Sequence, residues 1–164
     1  MIEIAKELFN SGKIILPNKV IVADSIDSNS STTKNIDSVS GSDKIFDINL
    51  TSNMSEILKN SKTILWNGPI GVFEKEPFQK GTHQLAKTIA GSEAFSLAGG
   101  GETIAAINKF INKDEVSYCS TGGGAFLEYM EGKLLPVSYT HLTLPTEGSC
   151  CCGGGGGGGW GGGG

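Results

Sequence analysis

The sequence predicts an α/β fold, a parallel sheet covered by helices. Two observations predict it. Short apolar runs of strand length alternate along the chain with segments of helical period. Glycine-rich turns stand between the later strands and the helices that follow them, as in sheets whose ligands sit beyond the carboxyl ends of the strands.

The elements follow in order. Ile2, Ala5, Leu8 and Phe9 recur at helical spacing, and the "NSG" at 10–12 ends that helix. "IILP" and "VIVAD" are both strand-like and are split by a Pro17-Asn18 turn. Residues 25–42 are rich in Ser, Asn, Asp and Thr, and read as a long surface excursion with little fixed structure. "KIFDI" is a strand, and "TSNMSEILKN" a helix with Ser52 as its cap. "KTILWN" is a strand ending in a Gly-Pro-Ile-Gly turn, and "PFQKGTHQLAKTIAG" a helix with Pro77 at its start. "AFSLA" and "EVSYCS" are strands, each leading through glycines into a helix, "ETIAAINKF" and "AFLEYMEG".

Residues 136–164 follow none of these patterns. Of the 25 glycines, 12 lie at Gly148 or beyond, with Cys150, Cys151 and Cys152 beside them. "VSYTHLTLPT" resembles a translated sequencing adapter, and a glycine run broken by tryptophan is what a run of G bases encodes. The tail is read as non-native. Three consecutive cysteines lack the paired spacing of a zinc site, and His141 is set aside with them. The body keeps one cysteine, Cys119, which forms no internal disulfide and fits a reducing, cytoplasmic setting.

Composition excludes several functions. The 13 basic residues are all lysine, so no arginine fork is present for two-point anion contacts. Mild acidity with scattered lysines argues against a nucleic-acid surface. No apolar run approaches the ~20 residues needed to span a bilayer, and Glu3, Lys6, Glu7 and Lys13 break any signal-peptide core.

Three loops are candidates for chemistry. In "GGGET" (99–103) and "STGGGA" (120–125), glycine lets backbone N–H groups approach an anion, and the helix start adds about +0.5 charge. Neither turn matches a Walker loop or a dinucleotide fingerprint. Glu102 is placed to reach a Mg²⁺ riding on bound phosphates and Thr103 to donate a further hydrogen bond; from the residues by themselves, a first-turn acid favoured by the helix dipole is the better account of Glu102. In "WNGPIGVFE" (66–74), Val72-Phe73 offers an apolar wall and Glu74 a ribose acceptor, against the plainer alternative of an ordinary turn with both apolar residues in the core. His83 has no partner at metal spacing and reads as a solvated or capping residue. Cys119 reads as a small buried side chain rather than a nucleophile.

Taken as a set, "WNGPIGVFE", "GGGETIAAI" and "STGGGAFLEYMEGKLLP", together with "IILPNKVIVAD" upstream, resemble the phosphoglycerate kinase family over about residues 2–136. The resemblance implies a Rossmann-like C-terminal nucleotide-binding domain, here incomplete and spanning residues 1–135. It implies phosphoryl transfer between 1,3-bisphosphoglycerate and ADP, giving 3-phosphoglycerate and MgATP. ATP or ADP and Mg²⁺ are the implied cofactors, and the full-length enzyme is expected to be a cytoplasmic monomer. By position, Glu74 takes the ribose, with Asn67, Pro69 and Val72 around base and sugar. Gly100, Gly101, Glu102 and Thr103 hold the phosphates and metal, and Gly122, Gly123 and Gly124 present amides to the phosphoryl group in transit. Glu102 stands where the family usually has Asp, and "FDINLTS" where it tends to read "DIGP", which touches any nucleotide contact near Asn49. The N-terminal domain that holds the glycerate substrate, the family's lysine loop and its last helix have no counterpart here. Met1 then reads as an internal codon, and the fragment is expected to be inactive. The alternative is a non-catalytic phosphate-binding α/β module, which has no need of Glu74.

Overall fold

The computed structural model describes residues 2–133, so the tail and His141 lie outside the described residues. The predicted class holds in the second half of the chain. Strands β4 (Thr63–Asn67), β5 (Phe95–Gly99) and β6 (Tyr118–Ser120) form a parallel sheet in that order. Helices α2 (Ser52–Asn60), α3 (Lys80–Ala90) and α4 (Gly101–Phe110) belong to this unit, and α5 (Gly123–Met130) follows β6. Alternation decides which strand residues face inward. Ile64 and Trp66 of β4 and Ala98 of β5 are buried, and the core continues through Leu85, Ala86 and Ile89 of α3 and Ala106 and Ile107 of α4. Leu65, Phe95 and Tyr118 alternate to the opposite side and are exposed.

The first half differs from the expected continuous parallel sheet. Strands β1 (Lys19–Ala23), β2 (Thr32–Asn35) and β3 (Lys44–Ile48) form a separate antiparallel sheet, ordered β2-β1-β3. Too few residues separate β1 from β2 for the crossover helix that parallel pairing requires. Val20, Ile21 and Val22 of the central strand β1 are buried in succession, so both faces of that strand are covered. The "IILP" run is not a strand: Ile14, Ile15 and Leu16 are exposed and pair with no strand among the described residues. Helix α1 (Ile2–Asn10) matches its predicted span.

The excursion at 25–42 also carries more structure than its composition suggests. It supplies β2, an exposed edge strand whose ladder to β1 carries no apolar alternation to reveal it. Lys34 then grips Asp43 through both carboxylate oxygens at 2.8 Å, while Ser40 N–H donates to Asp43 at 2.8 Å. The Lys34 hydrogen bond, followed by that of Ser40, lowers the Asp43 carboxyl to about 2. A lowered carboxyl contributes stability above its ordinary value of 3.8 and loses it as pH falls through about 2. Protection of residues 32–43 against amide exchange, taken relative to the intrinsic rate at each pH, is therefore expected to hold at pH 5 and to fall toward pH 2. Lys34→Gln should bring that onset to higher pH, and an unchanged onset would refute the role given to the pair.

Two helix starts shift slightly. Thr51, one residue before the expected Ser52, caps α2 by accepting from Met54 N–H at 3.2 Å. Pro77 lies inside a short 3₁₀ turn, Glu76–Phe78, and α3 begins just after it.

Candidate nucleotide-phosphate site

The two inner glycine turns follow adjacent strands, β5 and β6, and meet in space. Gly100 N–H donates to Ser120 carbonyl at 3.1 Å. Gly100 takes φ +94°, a conformation that glycine alone adopts readily. A Cβ on Gly123 would stand 2.7 Å from Gly100 Cα and 2.9 Å from its nitrogen, so the turns touch backbone to backbone.

Together they line a cleft of about 300 Å³ with Asn67, Gly68, Gly99, Gly101, Glu102, Thr103, Gly124 and Leu127. Helices α4 and α5 both start here, capped by Gly100 and Gly122 with no side-chain hydrogen bond at either end. Their first N–H groups are therefore not met by a side-chain cap, and two helix dipoles present their positive ends to the cleft region. Glu102 is exposed at its rim.

Thr103 has a different place from the one its position suggested. Its hydroxyl is buried, donates to Gly99 carbonyl at 2.6 Å and accepts from Gly68 N–H at 2.7 Å. The side chain ties the β4 turn to the β5 turn, so its hydroxyl is engaged within the protein. Asn67, at the carboxyl end of β4, lies beside Gly100.

The loop at 66–74 is held from several sides. Trp66 Nε1 donates to Gly68 carbonyl at 2.9 Å, Gly71 N–H to Thr82 Oγ1 at 3.2 Å, and Val72 N–H to Phe46 carbonyl at 2.9 Å. Lys109 Nζ donates to Phe73 carbonyl at 2.7 Å while lying over the Phe73 and Phe110 rings. Phe73 is buried in the core, as the plainer reading of this loop had it, while Val72 is half-buried.

Glu74, Pro69, Val72 and Gly122 do not line the glycine cleft. Glu74 is exposed and borders a second concavity of about 650 Å³, with Lys75, Glu76 and Pro77 on its own side and Ile26, Asp27, Ser28, Asn29 and Ser31 across from it. A Lys75–Asp27 ion pair at 2.9 Å joins the two sides.

Sequence reasoning missed Asp47. Its side chain is fully buried, and its carboxylate accepts from Gly81 N–H at 2.7 Å and Ile48 N–H at 2.9 Å. It thus caps α3 from β3 and joins the antiparallel sheet to that helix. Burial raises its carboxyl above the ordinary value, the two backbone N–H donors opposing that rise. No sequence-local pattern announces a cap supplied from 34 residues away.

His83 packs its ring 5.0 Å from that of Phe110, and Cys119 is half-buried. Among the described residues no cluster of three or more His, Cys, Asp and Glu is placed to hold a metal, and no helix is long and apolar enough to cross a membrane.

A parallel sheet whose adjacent strands end in two touching glycine turns defines an α/β protein with two helix N-termini gathered at one sheet edge. Comparison with known proteins makes the class specific. A family model described as Phosphoglycerate kinase matches residues 1–133, and the chain belongs to that family. A phosphoglycerate kinase from Vibrio campbellii is 50% identical over 139 residues, covering 83% of this chain and 36% of the relative. The solved phosphoglycerate kinase of Coxiella burnetii superposes with a TM-score of 0.72 at 44% identity, covering 80% of this chain and 36% of that one. That of Pyrococcus horikoshii gives 0.70 at 34% identity, covering 85% and 36%. The chain spans about a third of the length of these relatives.

Proposed function

We propose that residues 1–135 are part of the nucleotide-binding domain of a phosphoglycerate kinase, and that residues 136–164 form no part of it. The observation that carries this reading is the contact between the two glycine turns, which gathers two uncapped helix starts at one cleft. The phosphates of ADP or ATP lie on the amides of Gly100, Gly101, Glu102 and Thr103. The sugar and base extend along the 66–74 loop past Asn67, Pro69 and Val72, with the ribose toward Glu74. Gly122, Gly123 and Gly124 direct amides at the phosphoryl group as it leaves the acyl phosphate of 1,3-bisphosphoglycerate for the terminal phosphate of ADP. Fixed N–H dipoles suit charge spread over the transferring oxygens.

The residues fit a magnesium ion of the nucleotide-borne kind. Such an ion takes one or two carboxylates and completes its shell with phosphates and water, and among the described residues Glu102 is the one carboxylate bordering the cleft. Bound there, it would neutralise phosphate charge. Glu102 would hold it, and the glycine amides would orient the phosphates.

Within this reading the glycerate substrate binds the portion of the relatives that this chain does not span. MgADP is expected to bind the chain, and a sugar phosphate more weakly, in calorimetric titration. A preference for the sugar phosphate would favour the non-catalytic phosphate-binding module instead. In a coupled phosphoglycerate assay the chain alone should give no turnover above blank, and measurable turnover would refute that expectation.

A further inference from the structure

A concavity of about 530 Å³ lies apart from both regions above, between the last turn of α2 and one side of α3. Lys59 reaches it from α2, and Lys80, His83, Gln84 and Lys87 from α3. The α3 residues recur at the spacing that stacks side chains on one helix face. Among the described residues no carboxylate borders the concavity, although the whole chain carries a net charge of −4.

The fold accounts for only part of this cluster. Lys59 and Lys87 stand in the last turns of their helices, where the dipole favours a cation. Lys80 opens α3, the end at which a cation is disfavoured, and α3 contains no acid to offset it. The ion pairs among the described residues are Lys34–Asp43, Lys75–Asp27 and Lys133–Glu131, so none of these three lysines is neutralised by one. Three exposed lysines around one hollow make its potential positive, which favours an anion there.

We propose that this concavity binds a phosphate-rich polyanion, independently of the nucleotide cleft and without a part in phosphoryl transfer. Ammonium groups are compact point charges that serve phosphate well without the planar fork of arginine. The volume lies in the ~300–1,000 Å³ range of small-molecule sites, which suits a run of phosphates better than a single one. His83, steadied against Phe110, adds a ring N–H donor at the rim.

The test is an amide-shift titration of the complete 164-residue chain with inorganic tripolyphosphate, at about 50 mM salt to limit screening. Saturable shifts across residues 80–88 are expected, distinct from those at Gly100 and Gly123. The double variant K80Q/K87Q should weaken the α3 response by about tenfold and leave the glycine-cleft response unchanged. Should the double variant lose helicity, Lys80→Gln alone, which removes a cation from a helix start, is expected to weaken it by about threefold. Inositol hexakisphosphate in place of tripolyphosphate distinguishes an organic from an inorganic phosphate source, and a hexaglutamate peptide tests charge alone. Shifts on α3 that rise linearly without saturating, an affinity indifferent to these substitutions, or equal binding of hexaglutamate would each overturn the proposal.

Discussion

Gly123→Ala is expected to cost the folded chain about 1–3 kcal/mol and to remove most of its MgADP affinity. Gly101→Ala and Gly124→Ala should leave stability unchanged or raise it slightly. The added methyl at Gly123 meets the Gly100 backbone at 2.7 and 2.9 Å, well inside van der Waals contact, and no flexible side chain is there to yield. Gly100 cannot easily retreat, because its N–H is bonded to Ser120 carbonyl at 3.1 Å and its φ is +94°. The two turns must separate, and the two helix starts separate with them. Gly101 and Gly124 have nothing within 4 Å of an added Cβ and lie in first helical turns, where alanine has the better propensity. Thermal melts of the three variants distinguish a clash within the protein from a clash with the ligand, since only the former lowers the midpoint without nucleotide. Equal midpoints for Gly123→Ala and Gly124→Ala would sink the claim that the turns depend on each other.

That contrast marks how far the sequence could be read. Both turns were legible as glycine runs between a strand and a helix, and their family resemblance was legible in the words around them. Which glycine serves the ligand and which serves the neighbouring turn was not, because the contact joins residues far apart in sequence. Thr103 shows the same limit: a hydroxyl beside a glycine turn suggests a phosphate donor, and only the third dimension brings Gly68 and Gly99 to it. The parallel sheet was legible because its strands alternate cleanly with helices. The antiparallel β1–β3 sheet was not, since β2 is an exposed edge strand of Thr, Lys and Asn whose identity comes from pairing rather than pattern. Glu74 was legible as an acid in a rigid turn, but its separation from the glycine cleft depends on how that turn is anchored to β3, α3 and α4.

Asp47→Ala is expected to destabilise the chain by about 2–3 kcal/mol, because the substitution leaves the Gly81 N–H at the start of α3 without its acceptor. The effect should spread to the 66–74 loop. The Asp47 side chain fills the space that a Cβ on Gly71 or Gly81 would need, so it is the shared floor of that loop and of α3. Asp47→Asn supplies the sharper measurement through pH. Burial, the dominant influence, raises the Asp47 carboxyl in the folded chain above its unfolded value. A raised carboxyl contributes stability that is fully present below the unfolded value and is lost as pH rises through the folded one. The asparagine variant lacks this titration and keeps every other group, including Asp43. The stability advantage of the wild type over Asp47→Asn should therefore grow as pH is lowered from 7 through the ordinary carboxylate range, even while both proteins weaken from the loss of the Lys34–Asp43 pair. Denaturant midpoints of the two proteins at matched pH give that difference directly. A difference that shrinks on acidification would mean that the two N–H donors outweigh burial and hold Asp47 ionised, making it a charged cap on α3 rather than a carboxyl that burial drives toward its neutral form.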